Sequence, residues 1–576
     1  MAADRSTVAR VLDQIASHLE LKGESPFRIR AFRSGARTVS ALAGDPASWL
    51  LDGTLDQARG VGPAIQNVIR DLVETGRSQL LDELRELTPP GLVEMLDISG
   101  LGVAKVKLIH ERLGVDSLPG LEAAARDGRL AALPGFGQRT AENVLRGVAR
   151  LRRATTYRLS HHAREEAELI RGALAAVPGV REAIVAGEVR RAMELVQEIV
   201  IVLVADAPSE VLRSLAQVPG LDEFGGLDER RATLRFASGE RASVVITPPP
   251  NLGPVLIHAT GSDAHLAGLD AWAAKRGMAF RGAALWTESG FVAAPTEEAV
   301  YQALGLEWIP PELREGTGEI ELAAEGLPPL VERGDLRGLL HCHTEYSDGN
   351  LSVRDLALAC RKAGYEYVGV TDHSGSIDFV GGVSGAEIRR QWAEIDSTNT
   401  LLEGIQVLKG IEADILPDGR IGYPDELLAE FDFVIASVHN RFQMSEEEMT
   451  ERILRAMENP YVTILGHLTG RMLLTRDGFP LDLVRVFAGA ARLGVAIEIN
   501  ADPQRLDLDW RHVRQARDAG VAISIGADAH TEAGLDNMEQ GVRSARKGWL
   551  GPGDVLNTRS MEDFLAFARR RRGAEA

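Results

Sequence analysis

The sequence predicts a multidomain chain with an α-helical N-terminal part, an α/β middle and a C-terminal (β/α)7 barrel. Three observations lead there. A glycine hairpin motif recurs three times before residue 145, strand and helix signals alternate between 156 and 250, and seven apolar strand segments after residue 336 run into histidines or carboxylates. At 576 residues the chain exceeds what one hydrophobic core supports, so about three to five domains are expected.

The N-terminal repeat reads "ARGVGPAIQNVI" (58–69), "ISGLGVAKVKLI" (98–109) and "LPGFGQRTAENV" (133–144). Each copy has a glycine, an apolar residue, a second glycine and then a helical segment. Glycines at this spacing make a tight hairpin and let backbone N–H groups at a helix N-terminus approach a phosphate without side-chain obstruction. This is the helix-hairpin-helix pattern. Three copies predict DNA-backbone binding, with Gly60, Gly62, Gly100, Gly102, Gly135 and Gly137 as the contact positions. Upstream, "SPFRIRAFRSGAR" places Arg28, Arg30, Arg33 and Arg37 on one predicted helix. Alone that run is a solvated face; beside the hairpins it reads as a phosphate-facing patch.

The net charge of −19 does not argue against this reading. Residues 1–150 hold 19 Lys+Arg and 19 Asp+Glu, against 64 and 83 in the whole chain, so the acidic excess lies beyond residue 150. A hydrophobic content of 45% and a mean hydropathy of −0.07 describe a globular chain. No run approaches the ~20 apolar residues of a membrane span, and "MAADRSTVAR" lacks the apolar core of a signal peptide. With only Cys342 and Cys360 there is no disulfide framework. A cytoplasmic, nucleoid-associated monomer with no membrane partner is expected.

In the middle, strands are predicted at "EAIVAG", "EIVIVLVA", "ATLRFA" and "RASVVIT", followed by "VLIHATGSDAHLAGLDAWAAKRGMAF". The order of parts, continuing through "YQALGLEWIPPELREGTGEIE" (301–321), resembles the bacterial X-family DNA polymerases over nearly the whole chain. The resemblance implies an 8 kDa-like helix-hairpin-helix domain at 1–85, fingers with two further hairpins at 86–155, a nucleotidyltransferase palm at 156–247, a thumb at 248–320 and a linker at 321–335.

The departures from that family pattern matter as much as the match. In the family a Gly-Ser turn and an arginine bind the triphosphate, and an Asp-x-Asp strand plus a third Asp hold two Mg²⁺. Here Gly187, Arg190 and Arg191 are kept, but Glu188 stands for the serine, Glu198-Ile199-Val200 for Asp-x-Asp and Ser243 for the third Asp. Two Mg²⁺ demand near-octahedral oxygen ligation from carboxylates on one strand face, which Glu198 alone does not supply. The thumb motif becomes His258-Ala259-Thr260-Gly261-Ser262, with Leu266 where an Asn is expected. The lysine of lyase-active members falls on Val68, so no lyase activity is expected.

The C-terminal segments are "GLLHCHT", "YVGVTDH", "QVLKGIEAD", "FDFVIASVH", "VTILGH", "VAIEIN" and "VAISIGADAH". Functional residues at strand ends with helices between are the mark of a parallel barrel whose site lies at its C-terminal face. His341 and His343, two residues apart, face one side of a strand and leave Cys342 on the other, in the core. With Asp348, His373, Glu412, His439, His467, Asp528 and His530 they resemble the PHP (polymerase and histidinol phosphatase) domain motif by motif, here at 336–576.

That resemblance implies three metals. His341, His343, Glu412 and Asp528 would hold the first, Glu412 would bridge to a second on His439 and His467, and Asp348, His373 and His530 would hold the third. Mixed imidazole and carboxylate donors suit Mn²⁺ or Zn²⁺ over Mg²⁺. Glu412 and Asp528 are the expected catalytic carboxylates. Arg441 and Arg471, shortly after ligand histidines, read either as clamps on phosphate oxygens or as exposed arginines. In the family this site trims DNA in the 3′-to-5′ direction. The expectation is a DNA-repair protein whose barrel hydrolyses DNA while its polymerase half binds gapped or nicked DNA and 3′ ends. Two rival readings stand beside it: a weak Mn²⁺-dependent gap-filling polymerase that recruits Glu188 or Glu194, and a small-molecule phosphatase.

Overall fold

The computed structural model describes residues 5–41, 46–51, 53–58, 60–98, 100–237, 239–375 and 382–572. They form two compact units, Met1–Thr156 and Tyr157–Ala576. The first is all helix. In α1 (Arg5–Lys22) the apolar residues Val8, Leu12, Ile15 and Leu19 recur at helical spacing and bury one face against Phe32, Ala36 and Val39 of α2 (Pro26–Ala41). The helices that follow the three hairpins are α3 (Pro63–Thr75), α4 (Val103–Leu113) and α5 (Gln138–Thr156).

The second unit begins with a five-stranded sheet of β1 (Glu182–Ala186), β2 (Ile199–Val204), β3 (Leu221–Gly226), β4 (Arg231–Phe236) and β5 (Arg241–Thr247), in the order β1-β2-β5-β4-β3. Only β2 and β5 run parallel. Alternation sorts the strand residues: Ile199, Ile201 and Leu203 face α6 (Ser160–Ala175), whereas Val200 and Val202 face α7 (Leu252–Thr260). Strand β3 is unforeseen in the sequence. Its "LDEFGG" carries acids and two glycines rather than β-branched residues and survives as an edge strand.

The segment 321–335, expected as a linker, is ordered. Helix Glu319–Glu325 occupies its start, and Val331 is fully buried in the barrel core with its N–H on the Leu550 carbonyl at 2.9 Å. The barrel strands β6 (Gly338–Leu339), β7 (Tyr367–Val370), β8 (Gln406–Asp414), β9 (Phe433–Ser437), β10 (Val462–Leu465), β11 (Ala496–Asn500) and β12 (Ile523–Gly526) pair in sequence order, all parallel. Helices cover the outside, so most strands are buried on both faces and read as continuous apolar runs.

Between β6 and β12 no ladder forms; the seam is closed by a side chain. Asn557, fully buried, donates from Nδ2 to the carbonyls of Gly338 (3.0 Å) and Ile525 (2.9 Å) and accepts the Ile525 N–H on Oδ1 (2.7 Å). Further along, the His343 N–H reaches the Ala529 carbonyl at 2.9 Å and locks the two C-terminal strand ends together. Cys342 lies in the core, as its alternation predicts.

The seam yields a prediction. Asn557→Ala strands one buried N–H and two buried carbonyls, at a cost of about 3 kcal/mol or more. The urea midpoint for barrel unfolding should fall with little change in its slope; an unmoved midpoint would mean that the seam is held by other contacts.

Candidate metal centre

The nine predicted ligands stand together at the C-terminal ends of the barrel strands. At their centre is Glu412, 1% exposed on β8. Its Oε1 lies 2.9 Å from His467 Nε2 and 3.3 Å from His439 Nε2; its Oε2 lies 2.9 Å from His373 Nδ1, 3.6 Å from His341 Nε2 and 3.7 Å from His343 Nε2. Asp528 Oδ1 is 3.1 Å from His343 Nε2 and 3.6 Å from His341 Nε2. Asp348 reaches His530 Nε2 at 3.2 Å and His373 Nε2 at 3.6 Å. Three groups have donor atoms close enough to share an ion: His341, His343 and Asp528; His373, Glu412 and His439; and His343, Asp348, His373 and His530. His343 and His373 each belong to two groups, so the partition is less strict than the sequence reading has it.

The donor atoms fit a metal. Nε2 of His341 and His439, Nδ1 of His343 and His373 and Oε2 of Glu412 are all buried without a hydrogen-bond partner. Buried polar atoms are rarely left so, and converging imidazole and carboxylate donors suit a divalent cation. The far sides of the rings are held by residues that the sequence reading passed over. Glu498 on β11 accepts from His341 Nδ1 at 2.6 Å and from the His467 N–H at 2.8 Å, Asp414 meets His439 Nδ1 at 2.8 Å, and Asn500 Nδ2 donates to Asp528 Oδ2 at 3.0 Å. Such partners fix ring orientation and tautomer. The signal was present in "GIEAD" and "VAIEIN", whose acids sit two residues apart from a ligand or face the barrel end. His467 and Asp528 also adopt left-handed backbone, φ +26° and +49°, unusual for residues with a side chain.

Charge explains the cluster's titration. Burial alone would raise the Glu412 carboxyl, but His439, His373 and His341 outweigh it and hold Glu412 well below the usual range. Burial would lower His439 and His530; the facing carboxylates instead push both up to about 9. For His439 these are Glu412 and Asp414, for His530 Asp348 and Asp528. Asp348, despite burial, is held at about 2 by His530 and its neighbours.

The two arginines part ways. Arg441 is exposed just past His439, with φ +57°. Arg471 is not exposed: its Nε donates to the Arg505 carbonyl at 2.9 Å, Nη2 to the Leu506 carbonyl, and Nη1 pairs with Asp509, so each of its three nitrogens is engaged with the neighbouring loop. The loop it grips carries a different arginine to the site. Arg505 Nε is buried, has no hydrogen-bond partner and lies 3.6 Å from Asp528 Oδ2.

In the smaller sheet Glu198 and the two positions read as lost carboxylates, Val200 and Ser243, do converge. Val200 on β2 pairs with Ser243 on β5, and the Ser243 hydroxyl donates to Glu198. Val200 packs in an apolar cluster with Val202, Val255 and Leu256. Gly187, φ +65°, abuts it so closely that a Cβ there would stand 3.0 Å from Val200 Cγ2. The retained arginines are engaged. Arg190 and Arg314 each grip Glu297 through two bonds of 2.6 and 2.9 Å; burial would raise the Glu297 carboxyl, but the two guanidinium groups hold it at about 2. Arg191 pairs with Glu315 at 3.0 Å and donates to the Thr260 carbonyl at 2.6 Å. Ser262 caps helix Asp263–Ala274 through the His265 N–H, and Gly261 ends α7. Glu188 accepts the N–H groups of Gln197 and Glu198, while Glu194 is buried against Trp510 and Arg511.

In the N-terminal unit the first glycines of the hairpins, Gly60, Gly100 and Gly135, take φ +88°, +86° and +79°. Gly62 and Gly102 cap α3 and α4 without a side chain, and open space surrounds the Cβ positions of Gly62, Gly102 and Gly137. Arg28, Arg30 and Arg33 are exposed on α2, with Arg33 paired to Glu20 and Arg28 to Glu24. Val68 is core. No helix among the described residues is long and apolar enough to cross a membrane.

Comparison with known proteins agrees with this geometry. Family models match a helix-hairpin-helix domain at 4–78, a SAM-like helix-hairpin-helix tandem at 92–150, a DNA polymerase beta thumb at 255–315 and a PHP domain at 340–500. The chain is 34% identical to the DNA polymerase/3′-5′ exonuclease PolX of Bacillus subtilis (strain 168), over 98% of this chain and 99% of that one. It is 28% identical to a probable phosphatase of Thermoanaerobacter sp. (strain X514), over 41% of this chain and 96% of that one.

The titration yields a prediction. In the metal-free chain protonated His439 and His530 stabilise the fold fully below about pH 6.5, and that contribution is lost as pH rises through about 9. A divalent cation competes with the same protons. Loading Mn²⁺ at about pH 8 should therefore release protons, and affinity should rise with pH up to about 9. Calorimetry in buffers of different ionisation enthalpy measures this; no release would show that the rings are neutral before loading.

Proposed function

The chain belongs to the bacterial X-family DNA polymerases with a C-terminal PHP domain, and on that premise we propose that its working catalyst is the barrel, a metal-dependent 3′-to-5′ DNA exonuclease active in DNA repair. The observation that carries the proposal is the set of orphaned, buried donor atoms around Glu412 at the open end of the barrel. Mn²⁺ or Zn²⁺ held there would activate water and neutralise charge on a phosphodiester. His341, His343, Glu412 and Asp528 would hold a first ion, Glu412, His439 and His467 a second, and Asp348, His373 and His530 a third, with His343 and His373 near enough to be shared.

The chain's own groups do the rest. Glu498 and Asp414 keep the ligand nitrogens of His341 and His439 turned inward. Arg505, with a free buried donor, is placed to meet a non-bridging phosphate oxygen, and exposed Arg441 to meet the strand as it enters. The hairpins and thumb hold gapped or nicked DNA or a 3′ end, chiefly by its backbone and with little regard to sequence.

The polymerase half then serves as a DNA holder. Val200 and Ser243 offer no charge to a cation, and the substitutes Glu188 and Glu194 are already committed to main-chain N–H groups and to Arg511. Arg190 and Arg191, already paired with Glu297 and Glu315, would have to divide their charge between those partners and a triphosphate.

Two outcomes test this. His341→Ala and Glu412→Ala should each abolish Mn²⁺-dependent shortening of end-labelled gapped DNA, at least a 100-fold loss on the scale of about 10²–10³ for removing a key charge-stabilising group, with DNA affinity unchanged. Undiminished shortening would move the catalyst elsewhere. In the His341→Ala background, where degradation does not mask synthesis, addition of dNTPs should give negligible extension. Robust incorporation with Glu198, Val200 and Ser243 intact would show that the small sheet polymerises with another ligand set.

A further inference from the structure

The turn that follows Gly187 is joined to the metal centre by an unbroken series of polar contacts. Glu194, 8% exposed, accepts Trp510 Nε1 at 3.0 Å and Arg511 Nη1 at 2.6 Å. Arg511 also holds Asp509 at 2.9 Å on Oδ1 and 3.1 Å on Oδ2, and Arg471 Nη1 donates to that same Oδ2. Arg471 in turn grips the carbonyls of Arg505 and Leu506. Beyond those carbonyls stands the Arg505 side chain, its Nε facing Asp528.

Each link is directional. Arg511 meets both Glu194 and Asp509 through one nitrogen, Nη1, so the two acids share its N–H groups and each limits how fully the guanidinium turns to the other. Arg511 has two acids to satisfy and Arg471 has one acid and two carbonyls. Remove Glu194 and Arg511 is free to turn wholly toward Asp509, which loosens the hold of Arg471 on the loop. The loop has a second tie, from Thr469 to Asp507 at 2.9 Å, so the expected result is misaim rather than collapse.

We infer that Glu194 is a positioning residue for the barrel's phosphodiester chemistry, acting through Arg511, Asp509 and Arg471 to set the aim of Arg505. The inference rests on the reading of the barrel as the hydrolytic catalyst. It gives the turn after Gly187 a task in place of triphosphate handling: to brace the loop that carries the nuclease's buried arginine. Lys547 of the barrel fastens the same turn from below, with its ammonium on the Arg191 carbonyl at 3.0 Å and on Glu315 at 2.5 Å.

The test uses the full chain loaded with Mn²⁺ and bis(p-nitrophenyl) phosphate, a diester too small to reach the hairpins. Glu194→Gln should lower kcat/KM about fivefold, within the range by which residues remote from a ligand modulate it, with bound metal per chain unchanged. The affinity for thymidine 5′-monophosphate, read by calorimetry, should fall by a similar factor. The discriminating measurement is a double-mutant cycle. With Arg505→Ala in place, Glu194→Gln should cause no further loss in either readout, because the group it positions is gone. Equal losses with and without Arg505 would mean that Glu194 only holds the parts together, and an unchanged kcat/KM would overturn the inference outright. If wild type cleaves no faster than His341→Ala, the reading of the barrel as catalyst fails, and the inference falls with it.

Discussion

One buried carboxylate organises this chain's chemistry. Glu412 is shut away from water with five imidazoles within 3.7 Å of its two oxygens. A carboxylate without compensation would be driven neutral there, and imidazoles that stayed protonated would repel any cation that approached. Together they make an anionic focus with donors pointing inward. The arrangement depends on strands from the whole circumference of the barrel ending at one level. It therefore depends on the seam, where Asn557 and the Ala529 carbonyl replace a missing ladder.

The smaller sheet shows the reverse. Gly187 stands in a left-handed turn and positions 198, 200 and 243 are adjacent, and the side chains around them are paired with one another. Arg190 and Arg191 close ion pairs toward the thumb, Glu194 and the Arg191 carbonyl meet the barrel, and Val200 fills an apolar cluster. Partly buried charges need partners, and here neighbouring side chains and carbonyls supply them.

Much of this was legible in the sequence because the decisive features are local. Seven strand segments each announce themselves by an apolar run and a polar end, and the hairpins by two glycines at fixed spacing. The nine candidate ligands follow from their match to the PHP motifs. What the sequence hides is direction and company. Nothing in "GHLTGR" tells that Arg471 turns away from the site, or in "NADPQRLDLDW" that Arg505 turns toward it, since both depend on a loop folded back over 34 residues. Glu498 was visible as an acid in a strand, but its partner His341 lies 157 residues away. The supposed linker at 321–335 likewise takes its order from Leu550, far along the chain.

The hairpins have a consequence for how this protein can change over time. In the proposed binding mode their contacts to DNA would come from main-chain N–H groups at helix starts, and a main-chain group belongs to every amino acid. Substitution can block such a contact by bulk or distort it by an unsuited φ, but cannot neutralise it. In that mode a chain of net charge −19 could still hold a polyanion through three pairs of glycines. Such a hold would depend on local backbone shape rather than on side-chain charge, which leaves the charge of the rest of the surface free for other partners.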